Sequence, residues 1–262
     1  MADGFSAWSW LPAHRSLARD EPALVGLLSF VLHEHPPAAA ALFLAYLTDA
    51  KWPDRARDRF VDKHPAAEEI VAALEAIRGG ARTSGSTDDP YDLMVATEIP
   101  MSPYDDEQRT YAPELGRADL AIAVEVHRYP LLRAQLIVEA KAEGEKLTPL
   151  ERRRRTIPLD PRLEPFRETF QPASYAGVWK TQDQEMEAGL RIMGTLGTST
   201  YPDEWHRQLV ERYPGSTDPA LMVGLGPNLS WDSALTIVEG TDPPAPETLR
   251  ALRRAVDPLR AN

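Results

Sequence analysis

Two carboxylates and one ammonium group stand at positions where they could act together. Asp119 lies near the start of the run Ala118-Asp119-Leu120-Ala121-Ile122-Ala123-Val124, and Glu139 and Lys141 lie near the end of Leu136-Ile137-Val138-Glu139-Ala140-Lys141. Both runs read as strands. Residues two apart on a strand project from one face, about 6.6 Å apart, so Glu139 and Lys141 emerge together. If the two strands pair, Asp119 comes within about 5 Å on the neighbour. Charges gathered at one end of an apolar sheet are costly unless they are paired or bind a metal. The donor set suits a hard cation: two carboxylates, the carbonyl of Ala140 and waters complete the near-octahedral shell of Mg²⁺, with Mn²⁺ as a possible substitute. Such a cation lowers the pKa of a bound water and polarises a phosphoryl oxygen, and Lys141 could neutralise charge developing on phosphorus.

The surrounding pattern predicts the elements that hold these groups. Asp20 is an N-cap candidate for a helix from Glu21 to Leu32, with Leu24, Leu27, Leu28 and Val31 at helical spacing. A second helix follows Pro36-Pro37, and a third runs from Pro65 to Ile77 and stops at Gly79-Gly80. The period then changes. Leu93, Val95 and Thr97 alternate in a strand that Pro100 should end; Ala118–Val126 and Ala134–Ala142 are two more strands, close enough for a hairpin. Helices are expected over 166–180 and 184–193, a buried strand over 220–225, a further strand over 234–238, and a helix over 247–259. The order of elements predicts an α/β fold with a mixed central sheet flanked by helices. It divides into a helical part (1–80), a core (91–226) and a C-terminal extension (227–262), all in one domain.

At these residues the chain resembles a family. Gly116-Arg117-Ala118-Asp119-Leu120 followed by Glu139-Ala140-Lys141 on the next strand is similar to the D…E-x-K signature of the PD-(D/E)XK nucleases. Gln171-Pro172-Ala173-Ser174-Tyr175 resembles the Q-x-x-x-Y motif of RecB-like members, and at this spacing Gln171 and Tyr175 share a helix face. The resemblance implies a restriction-endonuclease-like core and Mg²⁺-dependent hydrolysis of phosphodiester bonds in DNA. It makes Asp119 and Glu139 metal ligands and Lys141 the group that positions or activates water. Glu21 is then the helix glutamate that completes the acidic cluster, Glu98 a supporting carboxylate or ligand, and Gln171 and Tyr175 the residues that shape the site and the nucleic-acid path. It also implies a setting in bacterial antiviral defence or restriction.

Each residue has a plainer reading. Glu21 suits a helix first turn simply through the macrodipole, and Glu68, Glu69 and Glu75 are rivals that read as surface. The run Arg152, Arg153, Arg154 and Arg155 is either a solvated loop or an arm that contacts phosphates. From Glu145 to Arg167 seven basic residues stand against four acidic ones, which favours phosphate contact. His33-Glu34-His35 reads as a helix C-terminus, and His127 and His206 as structural. Gly224-Leu225-Gly226-Pro227 reads as a turn, not a dinucleotide fingerprint. Trp8, Trp10, Trp179, Trp205 and Trp231 read as core or interface anchors.

Composition sets the outer limits. The 262 residues include 29 Lys+Arg and 40 Asp+Glu, for a formal net charge of −11, and 43% are hydrophobic. That is an ordinary globular balance with room for a core. The acidity disfavours a general nucleic-acid coat protein, though not a local site that touches DNA. The absence of cysteine excludes disulfides, thiolate metal sites and cysteine nucleophiles. The N-terminal residues lack a secretory pattern and no apolar stretch reaches the roughly 20 residues of a membrane span, so a cytoplasmic protein without membrane contact is expected. DNA is the expected substrate, with a protein partner or a second copy as an additional partner. Two other classes stay open: a non-catalytic nuclease-like scaffold that binds protein partners or nucleic acid, and an interaction protein in which the charges form an ion-pair network.

Overall fold

The computed structural model describes residues 21–52, 65–83, 89–101, 104–105, 110–111, 116–127, 131–147, 186–198, 221–243 and 246–256. Three helices come first: α1 (Glu21–Glu34), α2 (Pro36–Thr48) and α3 (Pro65–Arg78). Proline opens α2 and falls in the first turn of α1, where its missing N–H costs nothing. Strand β1 (Tyr91–Met101) follows, then the two-residue strands β2 (Tyr104–Asp105) and β3 (Thr110–Tyr111), which pair with each other. The long strands β4 (Gly116–Val126), β5 (Leu131–Glu145), β6 (Met186–Thr198) and β7 (Leu221–Leu229) precede α4 (Trp231–Glu239) and α5 (Pro246–Val256).

The long strands form one mixed sheet in the order β1-β4-β5-β6-β7. β1 pairs antiparallel with β4 and β4 with β5, whereas β5, β6 and β7 are parallel. Register aligns apolar rows across the sheet: Val95 faces Ile122, Ile122 faces Leu136, and Leu136 faces Ile192. This face joins one core with Leu24, Leu28 and Leu32 of α1, Phe43 of α2, Ile70 and Leu74 of α3, Leu235 of α4 and Leu252 of α5. Each such side chain, fully removed from water, contributes about 1.5–3 kcal/mol. Tyr46 docks α2 on β6: its buried hydroxyl donates to the carbonyl of Thr195 at 2.8 Å, and its ring fills space that a Cβ at Gly226 would enter at 2.9 Å.

Four expectations are corrected here. The stretch 184–193 is not a helix where it is described: Met186 onward belongs to β6. From Gly189 to Thr198 every residue is buried, as in a central strand covered on both faces, which an amphipathic helix could not achieve. The stretch 234–238 is helical instead of extended. Ser230 caps α4 by accepting from the N–H of Ser233 at 3.0 Å, and Trp231, Ala234, Leu235 and Val238 bury one face. Pro100 does not end β1, which reaches Met101 with Pro100 opposite Arg117; proline is tolerated because β1 is an edge strand of the sheet. Gly224–Pro227 is not a turn, because β7 continues to Leu229 and absorbs Gly226-Pro227 in a register shift against β6.

No single helix among the described residues is long and apolar enough to cross a membrane. Asp20, the arginine run and the expected helix over 166–180 lie outside the described residues.

Candidate active site

β4 and β5 bring Asp119 opposite Glu139. Their last ladder pair on this side is Leu120 with Val138, one step short of the two carboxylates. Instead of continuing the ladder, the N–H of Ala140 donates to Oδ2 of Asp119 at 2.7 Å. Lys141, two residues beyond Glu139, turns its Nζ to Glu139 Oε1 at 2.9 Å and lies 3.9 Å from Asp119 Oδ2. Nζ also donates to the carbonyl of Ala140. The third carboxylate arrives from 120 residues away: Glu21, the first residue of α1, accepts from Lys141 Nζ at 3.0 Å. Position at a helix start favours an acid there, so the fold and the cluster make the same demand of Glu21.

The site is sheltered. Glu139 is 2% exposed and Lys141 5%. Burial, opposed by Lys141 and by the Ala140 N–H but assisted by Glu21 and Glu98, raises the Asp119 carboxyl from its ordinary 3.8 to about 6. Burial works against the charge on Lys141, yet Glu139, Asp119 and Glu21 outweigh it and hold its pKa above the usual value. Three carboxylates around one ammonium leave the cluster with excess negative charge when all are ionised. The Lys141 ammonium sits among the three carboxylates, and they are not a group whose possible ligand atoms all lie within 4.8 Å of one another; among the described residues that spacing is met by Asp92, Glu125 and His127.

Glu98 lies beside the site as an exposed residue whose charge acts on Asp119. Its φ of 53° is left-handed, uncommon for a residue with a side chain, and it falls between the ladder pairs Thr97–Leu120 and Ile99–Ala118. Gln171, Tyr175, Arg152, Arg153, Arg154, Arg155 and His206 lie outside the described residues. On α3, Glu68 and Glu75 are exposed and Glu75 pairs with Arg78 at 2.5 Å. His33 sits in the last turn of α1, and His35 reaches across to the carbonyl of Thr241 at 3.0 Å.

Two features escaped the sequence reading. Arg191, wholly buried in β6, donates to Gln135 Oε1 through Nε at 3.2 Å and an Nη at 2.7 Å, and burial pulls its pKa down to about 9. One arginine within an apolar run, in register with a polar residue of the next strand, was the available signal. The second is His127, expected to stand alone. Its Nδ1 meets the carbonyl of Asp89 at 2.8 Å, and His127, Asp92 and Glu125 have possible ligand atoms within 4.8 Å of one another, a group that could hold a metal ion. Glu125 also accepts from Arg133 at 2.6 Å.

Comparison of the chain with models of known families, with curated proteins and with solved structures gave no match.

Proposed function

We propose that this chain is a divalent-metal-dependent nuclease with a PD-(D/E)XK-like core, and that its substrate is DNA. The observation that carries the reading is the convergence of Glu21, Asp119 and Glu139, from a helix and two strands, on the ammonium of Lys141. A self-contained ion-pair network would tend towards balance, whereas this cluster keeps surplus negative charge for a cation to offset. The sheet adds support: an antiparallel run β1-β4-β5 followed by parallel β6, with a helix delivering the first acid, is the kind of mixed sheet the sequence resemblance implies.

A bound Mg²⁺ or Mn²⁺ supplies Lewis acidity to a phosphoryl oxygen and a more acidic water. Asp119, Glu139 and Glu21 are the ligand candidates, together with the Ala140 carbonyl. Lys141 stays protonated in this setting, so its ammonium orients the attacking water and stabilises charge on the pentacovalent phosphorus. Glu98, exposed and acting on Asp119 through its charge, is proposed as a supporting carboxylate. Gln171 and Tyr175 are proposed to shape the site, and the arginines at 152–155 to contact backbone phosphates and offset the acidity of the chain. A role in bacterial defence or restriction is carried by the resemblance alone.

The test is cleavage of plasmid and linear DNA with Mg²⁺ or Mn²⁺. Wild type should cut, and Asp119→Ala, Glu139→Ala and Lys141→Ala should not. Cleavage indifferent to all three changes removes the site assignment. Calorimetric titration with Mg²⁺ separates this reading from a non-catalytic scaffold, which would take up no metal with or without DNA.

A further inference from the structure

The regular pairing of β5 with β6 stops at Ala140–Leu196 and resumes only at Glu145–Thr198. Lys141 is the first residue in this gap, and Trp231 meets its carbonyl. Its indole Nε1–H, from the first turn of α4 and 90 residues further along the chain, donates to the Lys141 carbonyl at 2.8 Å in a fully buried contact. Gly197, at φ 76°, makes the approach possible: a Cβ there would meet Trp231 Nε1 at 2.6 Å and would overlap the Lys141 carbonyl. α4 is itself held in place, since Arg253 of α5 bonds Glu239 at 2.9 and 2.6 Å and also pairs with Asp232.

We propose that Trp231 is a positioning residue: its indole N–H fixes the backbone of Lys141 where the regular β5–β6 register breaks, and so aims the ammonium at Glu21, Asp119 and Glu139. The inference rests on the reading that Lys141 serves cleavage. A residue at a register break is held less regularly than one inside the ladder, and a shift of about 1 Å at a catalytic group can cost about a hundredfold in rate. Tryptophan brings both bulk and a donor beside Gly197; phenylalanine fills much of the space and donates nothing.

The experiment compares wild type, Trp231→Phe and Leu235→Ala, a buried core residue of the same helix whose side chain has no group to donate to Lys141. Two quantities are read: DNA cleavage kinetics at saturating Mg²⁺, and the rate of reductive methylation of Lys141, followed by mass spectrometry in the metal-free protein. Trp231→Phe should lower kcat about ten- to a hundredfold with KM for DNA unchanged within about twofold, and should speed Lys141 methylation about tenfold. Leu235→Ala should lower Tm but leave both quantities near wild type. Wild-type kcat and wild-type methylation in Trp231→Phe overturn the proposal, and so does Leu235→Ala reproducing both changes. Should Trp231→Phe fail to fold, site-specific replacement of Trp231 by its benzothiophene isostere, which lacks only the N–H donor, decides by the same criteria. If wild type cuts no DNA, the nuclease reading falls, while the methylation rates still decide whether Trp231 holds Lys141.

Discussion

The two ends of β4 each carry charge, and they differ in how the charge is held. At one end, Asp119 joins Glu139, Lys141 and Glu21; at the other, Glu125 joins Asp92, His127 and Arg133. The first group draws on three elements and on residues 120 apart in the chain, and its Glu139 and Lys141 side chains are 1% and 6% exposed. The second is local to the strands β1, β4 and β5 and the residue after β4, and its Glu125 and Arg133 side chains are 13% and 25% exposed. Similar ingredients give a sheltered cluster in one place and a more solvated one in the other. The difference shows that shelter and long-range assembly, more than the kinds of residue present, set how far a group of charges is withdrawn from water.

The largest expected contrast is in cleavage. Lys141→Ala or Glu139→Gln should reduce kcat about a thousandfold or more, while Glu125→Gln and His127→Ala should leave it within about twofold; loss of cleavage in the second pair would move the active site to the other end of β4. A similar contrast should appear in stability. In EDTA, Lys141→Ala leaves three sheltered carboxylates without their cation and should cost about 3–5 kcal/mol in urea unfolding, part of it restored by Mg²⁺. Arg133→Ala, at the wetter end, should cost about 1 kcal/mol or less.

Asp119 gives a pH signature that sharpens the comparison. Its carboxyl is raised from 3.8 to about 6, so between those values the native chain binds more protons than the unfolded chain. Metal-free stability therefore falls as pH rises through that window and levels off above it. Asp119→Asn should abolish the fall and stabilise the metal-free protein above pH 6 by on the order of 1–3 kcal/mol, while abolishing cleavage. A cation must also displace that proton at low pH, so wild-type cleavage at limiting Mg²⁺ should decline below about pH 6. The smallest effect belongs to His127→Ala, expected to change stability by about 1 kcal/mol or less.

What the sequence made legible was local. The period-two run around Glu139 and Lys141 shows which face they share, because that depends on residues two apart, and a short connection between neighbouring strands brings Asp119 next door. Glu21 was visible only through the family resemblance, since nothing in its own helix points to residue 141. β6 was misread because its polar approach and scattered glycines do not reveal that Tyr46 and two neighbouring strands cover it. Trp231 looked like a core anchor; its donation to Lys141 depends on a bulge, a left-handed glycine and a capped helix meeting in space, none of which leaves a periodic trace. The His127 group depends on the β1–β4 register, which places Asp92 opposite Glu125.

The contact between Trp231 and Lys141 also has a consequence in time. Ribosomes deliver Asp119, Glu139 and Lys141 first, and at about 5–20 residues per second the 90 residues that separate Lys141 from Trp231 take roughly 5–20 s to follow. During that interval the emerging chain carries every acid of the cluster and its lysine, but not the indole that seats them. If the chain cuts DNA and Trp231 aims Lys141 as proposed, the cutting edge stays unset until α4 is made, and a truncated product released before residue 231 would leave the ribosome with Lys141 present and unaimed.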